Sequence, residues 1–308
     1  MNQLLVAASP HERAPLPTWH IMLCVLLALL PAALAGCMNF GMRALILLLV
    51  TTGSAVIFEF LCRILMKRPQ TIGDLSAAVT GLLLGMNLPP DLPYWQAAIG
   101  SFVAIVMVKQ LFGGLGQNFA NPTVVARIVL MLSFTSTMTT FRFPHTDAVS
   151  SATPLTGAEA TYWDLLFGNT AGCIGETCAL GLLLGGIYLC LRGIISPAAP
   201  ISFIGSFALC TWIAGNNPLT QVLSGGLMLG AVFMATDYVT TPLTAKGKLL
   251  FGIGCGCLTF VIRQFGGYPE GVSFSILLMN LLTPYIDRIT ASRPFGTDLA
   301  KKEVQNNA

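Results

Sequence analysis

The chain has 308 residues, 54% of them hydrophobic and only 9% charged, with a formal net charge of +3. Soluble domains carry about 25% charged residues, so this composition excludes a water-soluble globular protein, and no nucleic-acid partner is expected. A β-barrel would show alternating segments of ~10 residues, whereas the apolar residues here form continuous runs of about 17–25, as bilayer-crossing helices require.

Ten spans are predicted, at residues 21–37, 44–66, 72–88, 94–112, 122–140, 176–193, 200–214, 219–237, 248–264 and 271–287. Ala33, Ala35 and Gly36 resemble a signal-peptide cleavage site. The basic region before them is thin and further spans follow, so the first run is read as a retained helix. Several spans are short and interrupted by Gly, which suggests broken or tilted helices.

Lys and Arg set the orientation. With the N-terminus in the cytoplasm, Arg13, Arg63, Lys67, Arg68, Lys109, Arg127, Arg192, Lys246, Lys248, Arg288, Arg293, Lys301 and Lys302 fall at or near the inner face. Only Arg43, Arg142 and Arg263 fall outside. Both termini are therefore expected in the cytoplasm. Trp19, Trp95, Trp163 and Trp212 lie near predicted span ends, where interfacial aromatics belong.

Two half-copies are visible. "GLLLGMNLP" (81–89) resembles "GLMLGAVFM" (226–234), "FGGLGQNFANPTVVARIVLM" (112–131) resembles "FGGYPEGVSFSILLM" (265–279), and "FLCRILMKRP" (60–69) loosely resembles "YLCLRGIISP" (188–197). Five spans per half force the second half to enter the membrane upside down, an inverted repeat. The expected fold is thus all-α: a polytopic membrane protein of about ten transmembrane helices in two inverted five-helix repeats. Residues 1–20 are a cytoplasmic segment, 21–140 the first repeat, 141–175 an outer loop, 176–287 the second repeat and 288–308 a cytoplasmic tail.

Few ionisable residues fall within spans. Glu59 sits in the second, Asp237 at the inner end of the eighth and Arg127 near the start of the fifth. Charges in a bilayer are costly unless paired or wetted, so each is a functional candidate. Asp237 and Arg127 equally admit an interfacial placement. Glu59, Asp237 and the Gly-rich loops at 113–116 and 266–267 are the expected ion path. Most of the nine Cys lie in apolar runs and read as small buried hydrophobes. Cys173 and Cys178 could pair or bind a metal, but their spacing is unspecific. No metal site, P-loop, dinucleotide fingerprint or catalytic triad is present, so no catalytic residue is assigned. On these features alone, a stand-alone solute channel or transporter is the default.

The stretch "DAVSSAT" (147–153), on the predicted outer face, changes that reading. It resembles the flavinylation motif D-x-x-S/T-G-A-S/T, whose last hydroxyl residue carries FMN through a phosphoester. The surrounding chain resembles the RnfD family, the D subunits of Rnf electron-transport complexes, which is related to the NqrB component of the sodium-translocating NADH:quinone reductase. The resemblance extends to "TGLLLGMNLPP" (80–90), "NPTVVARIVLM" (121–131), "MATDYVTTPLT" (234–244) and "PEGVSFSILLMNLLTPYID" (269–287). It implies covalent FMN on Thr153, with Asp147, Ser150, Ser151 and Ala152 completing the motif. Ser151 replaces the usual Gly, whose backbone freedom would help the loop enter the modifying enzyme. Pro154 biases Thr153 toward an extended backbone that presents its hydroxyl.

The resemblance further implies a complex in the bacterial cytoplasmic (inner) membrane that couples electron transfer between ferredoxin and NAD to Na⁺ or H⁺ transport. Its partners would be the A, B, C, E and G subunits of the Rnf complex, the lipid bilayer, and a flavin transferase for maturation. A second, noncovalent flavin, riboflavin, is implied by the quinone reductase relative.

Overall fold

The computed structural model describes residues 16–144, 149–150, 155, 161–266 and 271–291. Long runs of Leu, Ala and Met favour helix, and the chain opens with α1 (Thr18–Phe40) and α2 (Met42–Leu65). Gly41 joins them at φ +70°, a left-handed conformation that glycine adopts without steric cost. At 23 and 24 residues, each spans roughly 35 Å. A 3₁₀ turn (Ile72–Asp74) leads into α3 (Ser76–Met86), which stops short of Pro89 and Pro90, residues that cannot continue a helix.

α4 (Tyr94–Phe102) widens into a π-helical stretch, Val103–Gln110. α5 (Pro122–Ser133) starts with Asn121 capping the Thr123 N–H and Pro122 in the first turn, where its missing donor costs nothing. α6 (Thr135–Met138) follows. Strands β1 (Phe141–Arg142) and β2 (Val149–Ser150) form a short antiparallel pair, Phe141 opposite Ser150.

α7 (Tyr162–Phe167) begins with a capping box of Thr161 and Asp164, in which each residue satisfies the other's backbone N–H. Hydrogen bonds from Thr161 and from Asn169 hold the Asp164 carboxyl below the usual carboxylate range, because they favour its charged form. The rest of the chain forms α8 (Ala179–Leu191), α9 (Ala198–Ile213), α10 (Pro218–Leu223), α11 (Leu227–Leu229) with its π-helical continuation Gly230–Met234, α12 (Ala245–Phe265) and α13 (Val272–Thr290).

α1 packs on α8, α2 on α3 and α4, and α9 on α12, while α5 meets both the first π stretch and α13. Small residues permit the closest approach. A Cβ at Gly252 or Gly256 of α12 would lie 2.6 Å from the carbonyl of Ala199 or Phe203 on α9. Leu84, Met86, Leu88, Leu130, Phe203 and Phe251 are fully buried, yet Leu34, Leu49, Leu184, Ile201 and Ile213 face outward. Helices that are apolar on every side suit a hydrocarbon surround.

Among the described residues, three helices, α1, α2 and α12, are long and apolar enough to cross a membrane. Helix is present in each of the ten predicted stretches, but 72–88 holds only the 11-residue α3 and a 3₁₀ turn, and 219–237 is split into α10, α11 and a π stretch. Lys109 and Arg127, assigned by sequence to the inner face, are each 2% exposed. Both have buried carboxylate partners, which removes the need to reach water.

Candidate functional site

Glu59 projects from α2 and has no exposed surface. Lys109 Nζ donates to its Oε2 at 2.7 Å, and Thr71 Oγ1 donates to its Oε1 at 2.8 Å. The same ammonium donates to Ser76 Oγ at 2.6 Å, and that hydroxyl donates to Asp74 Oδ1 at 2.5 Å. One carboxylate therefore ties together α2, the segment before the 3₁₀ turn, the start of α3 and the first π stretch. Such a pair loses hydration on both sides, and it survives only because hydrogen bonds fill the remaining lone pairs.

Lys109 also borders a cavity of about 100 Å³ between the two halves of the chain. Ser76, Thr80, Asn118, Asn121, Thr236 and Asp237 give it polar walls, and Val25, Leu83 and Phe233 apolar ones. Asp237 follows the second π stretch. Its carboxylate accepts from Thr240 Oγ1 at 3.0 Å and from the backbone N–H groups of Tyr238 and Val239. Asn118 Oδ1 is buried with no hydrogen-bond partner. The two expected ion-path residues are thus connected: Asp237 lines the cavity, and Glu59 reaches it through Lys109. Both π stretches contribute to the walls, and π segments recur at functional sites.

A second buried pair lies nearer the loop after α7. Arg127 Nη2 donates to Glu176 Oε1 at 2.8 Å and Nη1 to Asn87 Oδ1 at 2.6 Å. Cys173 Sγ lies 3.6 Å from the same guanidinium. Gly226 leaves room for the pair, since a Cβ there would lie 2.6 Å from Glu176 Oε1. Asn87 and Asn121 reach the sulfur and carbonyl of Met234, 3.7 and 3.1 Å away, so the broken ends of α3 and the second π stretch meet here. Cys173 and Cys178 do not pair with each other. Cys178 Sγ instead caps α8 by accepting from the Gly181 N–H.

Asp147, Ser151, Ala152 and Thr153 lie outside the described residues, and Ser150 is described only as part of β2. Leu155 is described. It borders a cavity of about 210 Å³ with Asn216, Gln221, Arg263 and Gln264 among its walls. The Arg263 guanidinium stacks 5.0 Å from the Phe207 ring and donates to the carbonyls of Gln221 and Ser224 at 2.8 and 3.2 Å. Asn216 donates to Gln264 Oε1 at 3.2 Å.

Residue order does not reveal Lys109, Thr71 and Ser76 as neighbours of Glu59, nor Asn87 and Glu176 as neighbours of Arg127. A Lys inside the apolar run 94–112 is the available signal for the first; its nearness to the predicted span end favours the interface instead. Glu176 stands at the first position of the sixth predicted span, and only the fold brings it to Arg127.

Residues 5–296 match the model of the NQR2, RnfD, RnfE family. The chain is 47% identical to the D subunit of the Na(+)-translocating ferredoxin:NAD(+) oxidoreductase complex of Acetobacterium woodii, covering 99% of this chain and 100% of the relative. It is 43% identical to the D subunit of the proton-translocating ferredoxin:NAD(+) oxidoreductase complex of Clostridium ljungdahlii, covering 96% and 97%. It is 37% identical to the D subunit of the ion-translocating oxidoreductase complex of Mannheimia succiniciproducens, covering 96% and 99%. With a match of this extent and these end-to-end similarities, the chain belongs to the NQR2, RnfD, RnfE family.

Proposed function

We propose that this chain is the D-type membrane component of a complex that couples electron transfer between ferredoxin and NAD to Na⁺ or H⁺ translocation, with FMN on Thr153. The observation that carries the reading is end-to-end similarity to proteins of that name, 47% identical over 317 aligned residues, in a chain that also contains the motif residues 147–153. The sequence offers no dinucleotide fingerprint, so the A, B, C, E and G subunits would supply the NAD and iron–sulfur sites.

In this reading Thr153 is an acceptor that a flavin transferase modifies, since an unactivated hydroxyl is a poor nucleophile. The bound flavin supplies electron relay. The chain supplies a tether that keeps the flavin near its donor and acceptor. The cavity beside Leu155 suits the phosphate and ribityl parts of such a group: Arg263 offers charge, and Asn216, Gln221 and Gln264 offer amides, donors that anionic oxygens favour. The cavity between Lys109 and Asp237, with the unpartnered Asn118 Oδ1, suits the polar edge of a noncovalent riboflavin, which carries both donors and acceptors.

The same reading places the chain in the bacterial inner membrane, with ten crossings in two inverted five-helix repeats and both termini in the cytoplasm. Matched packing supports the repeat: α1 meets α8, α5 meets α13, and the α2–α4 pairing has its counterpart in α9–α12. The ion path would run by Glu59 and Asp237. The test is ultraviolet fluorescence of the denatured chain in a gel, after co-production with a flavin transferase. A fluorescent band is expected for the wild type and none for Thr153→Ala. No band in either, with a transferase proven on another substrate, overturns the flavin assignment.

A further inference from the structure

We propose that the oxygens around Glu59 form a site for an alkali cation, Na⁺, which the Lys109 ammonium occupies in this structure. Lys109 then leaves for the cavity beside Asp237 when the transported ion enters. The inference rests on the reading of this chain as part of an ion-translocating complex.

The ammonium is held by hard oxygens, Glu59 Oε2 and Ser76 Oγ, and the Thr71 hydroxyl adds another on the carboxylate's Oε1 side. Hard cations select such oxygens. The ammonium stands in for that ion. It carries one positive charge, sits 2.7 Å from the carboxylate and 2.6 Å from Ser76 Oγ, and is all but excluded from solvent. Na⁺ in its place would leave the local charge balance unchanged, whereas an empty site would leave Glu59 as an uncompensated buried charge. The hydroxyls can rotate to present lone pairs to a metal ion.

Lys109 has somewhere to go. It lines the cavity that Asp237 and Asn118 also line. Asn118 Oδ1, buried and without a partner, is an acceptor in want of a donor. The Asp237 carboxylate is held by the Thr240 hydroxyl and by the backbone N–H groups of Tyr238 and Val239, all neutral donors. A lysine is a compact charge with three donors on a flexible four-carbon stem, suited to moving between two acceptor sets. Entry of the cation at the Glu59 oxygens releases the ammonium to these acceptors, so the buried carboxylate keeps a counter-charge throughout.

The test uses the purified full-length chain with Lys109→Met, beside the wild type and the double variant Glu59→Gln/Lys109→Met. Each is melted in detergent over a NaCl series, with choline chloride holding ionic strength constant. A ligand that binds only the folded state raises the melting temperature with its concentration. Lys109→Met is expected to gain several degrees from Na⁺, and the wild type and double variant none. The proposal is overturned if Lys109→Met shows no Na⁺-specific gain, or is stabilised only by acid. It is also overturned if Lys109→Met fails to fold in NaCl while the double variant folds, because Glu59 then accepts only its lysine. In the assembled complex, the double variant is expected to lose most Na⁺ uptake per electron transferred; an unchanged ratio overturns the proposal. A wild-type complex with no electron-driven uptake would instead refute the reading of the complex, and the melting series would still decide the site.

Discussion

Arg127 and Glu176 stand 2.8 Å apart, both almost wholly buried, although 49 residues separate them in the chain. The pair clamps α5 to the segment before α8, and Asn87 extends the clamp to the end of α3. Removing one partner strands a buried charge at a cost of about 3–5 kcal/mol. Arg127→Ala and Glu176→Ala should each sharply lower the yield of monodisperse protein on gel filtration. Arg127→Met/Glu176→Leu should recover much of it. Equal losses in all three would show that shape, not charge pairing, governs the site.

Glu59→Gln keeps the size of the side chain but removes its charge. The ion-path reading expects the variant complex to lose more ion uptake than ferredoxin:NAD electron transfer. Both rates are measurable in the same proteoliposomes. Parallel loss would assign Glu59 a structural role.

Arg263 borders the cavity next to Leu155, two residues beyond Thr153. If a flavin on Thr153 rests there, Arg263→Gln should leave the fluorescent gel band intact. In the native protein its flavin should be quenched more readily by iodide and be harder to reduce, because a nearby cation favours the reduced, more negative form. Lys at the same position should restore the potential in part. Identical quenching and potential in all three proteins would place the flavin elsewhere.

The α9–α12 contact depends on missing side chains. Gly252→Ala would push a methyl to within 2.6 Å of the Ala199 carbonyl, closer than real Cβ contacts. Overpacking of this kind costs about 1–3 kcal/mol. At Gly53 of α2 nothing lies within 4 Å of the added methyl, and the helix gains about 0.5–1 kcal/mol as the unfolded chain loses conformational freedom. Thermal melts should therefore move in opposite directions for Gly252→Ala and Gly53→Ala.

Asp164 provides a pH test outside the spans. Its folded-state pKa is depressed, chiefly by the Thr161 hydroxyl. A depressed carboxyl supports α7 fully above its unfolded value of about 3.9 and loses that support as pH falls through the lower folded value. Trp163, stacked on Phe167 with ring centroids 6.0 Å apart, should report the loss by fluorescence when compared with Trp163→Phe. Thr161→Ala should shift that transition toward the ordinary carboxylate range. An unmoved transition would mean that the capping hydroxyl does not control the acid.

That the chain is helical and greasy on every side follows from residue order alone, since apolar runs of that length with so few charges have no other stable use. The breaks are legible too: Pro89 and Pro90 lie just beyond α3, and glycines precede the short α11. Glu59 stands out because a carboxylate inside an apolar run needs a partner. The identity of that partner is a matter of fold. Lys109 comes from a helix 50 residues away, and Glu176 reaches Arg127 across a similar distance. Such pairings depend on how helices are placed side by side, and hydrophobic periodicity carries no information about that. Cost in a low-dielectric interior selects the charge pairs, but the packing of small residues against backbone brings the helices close enough to make them.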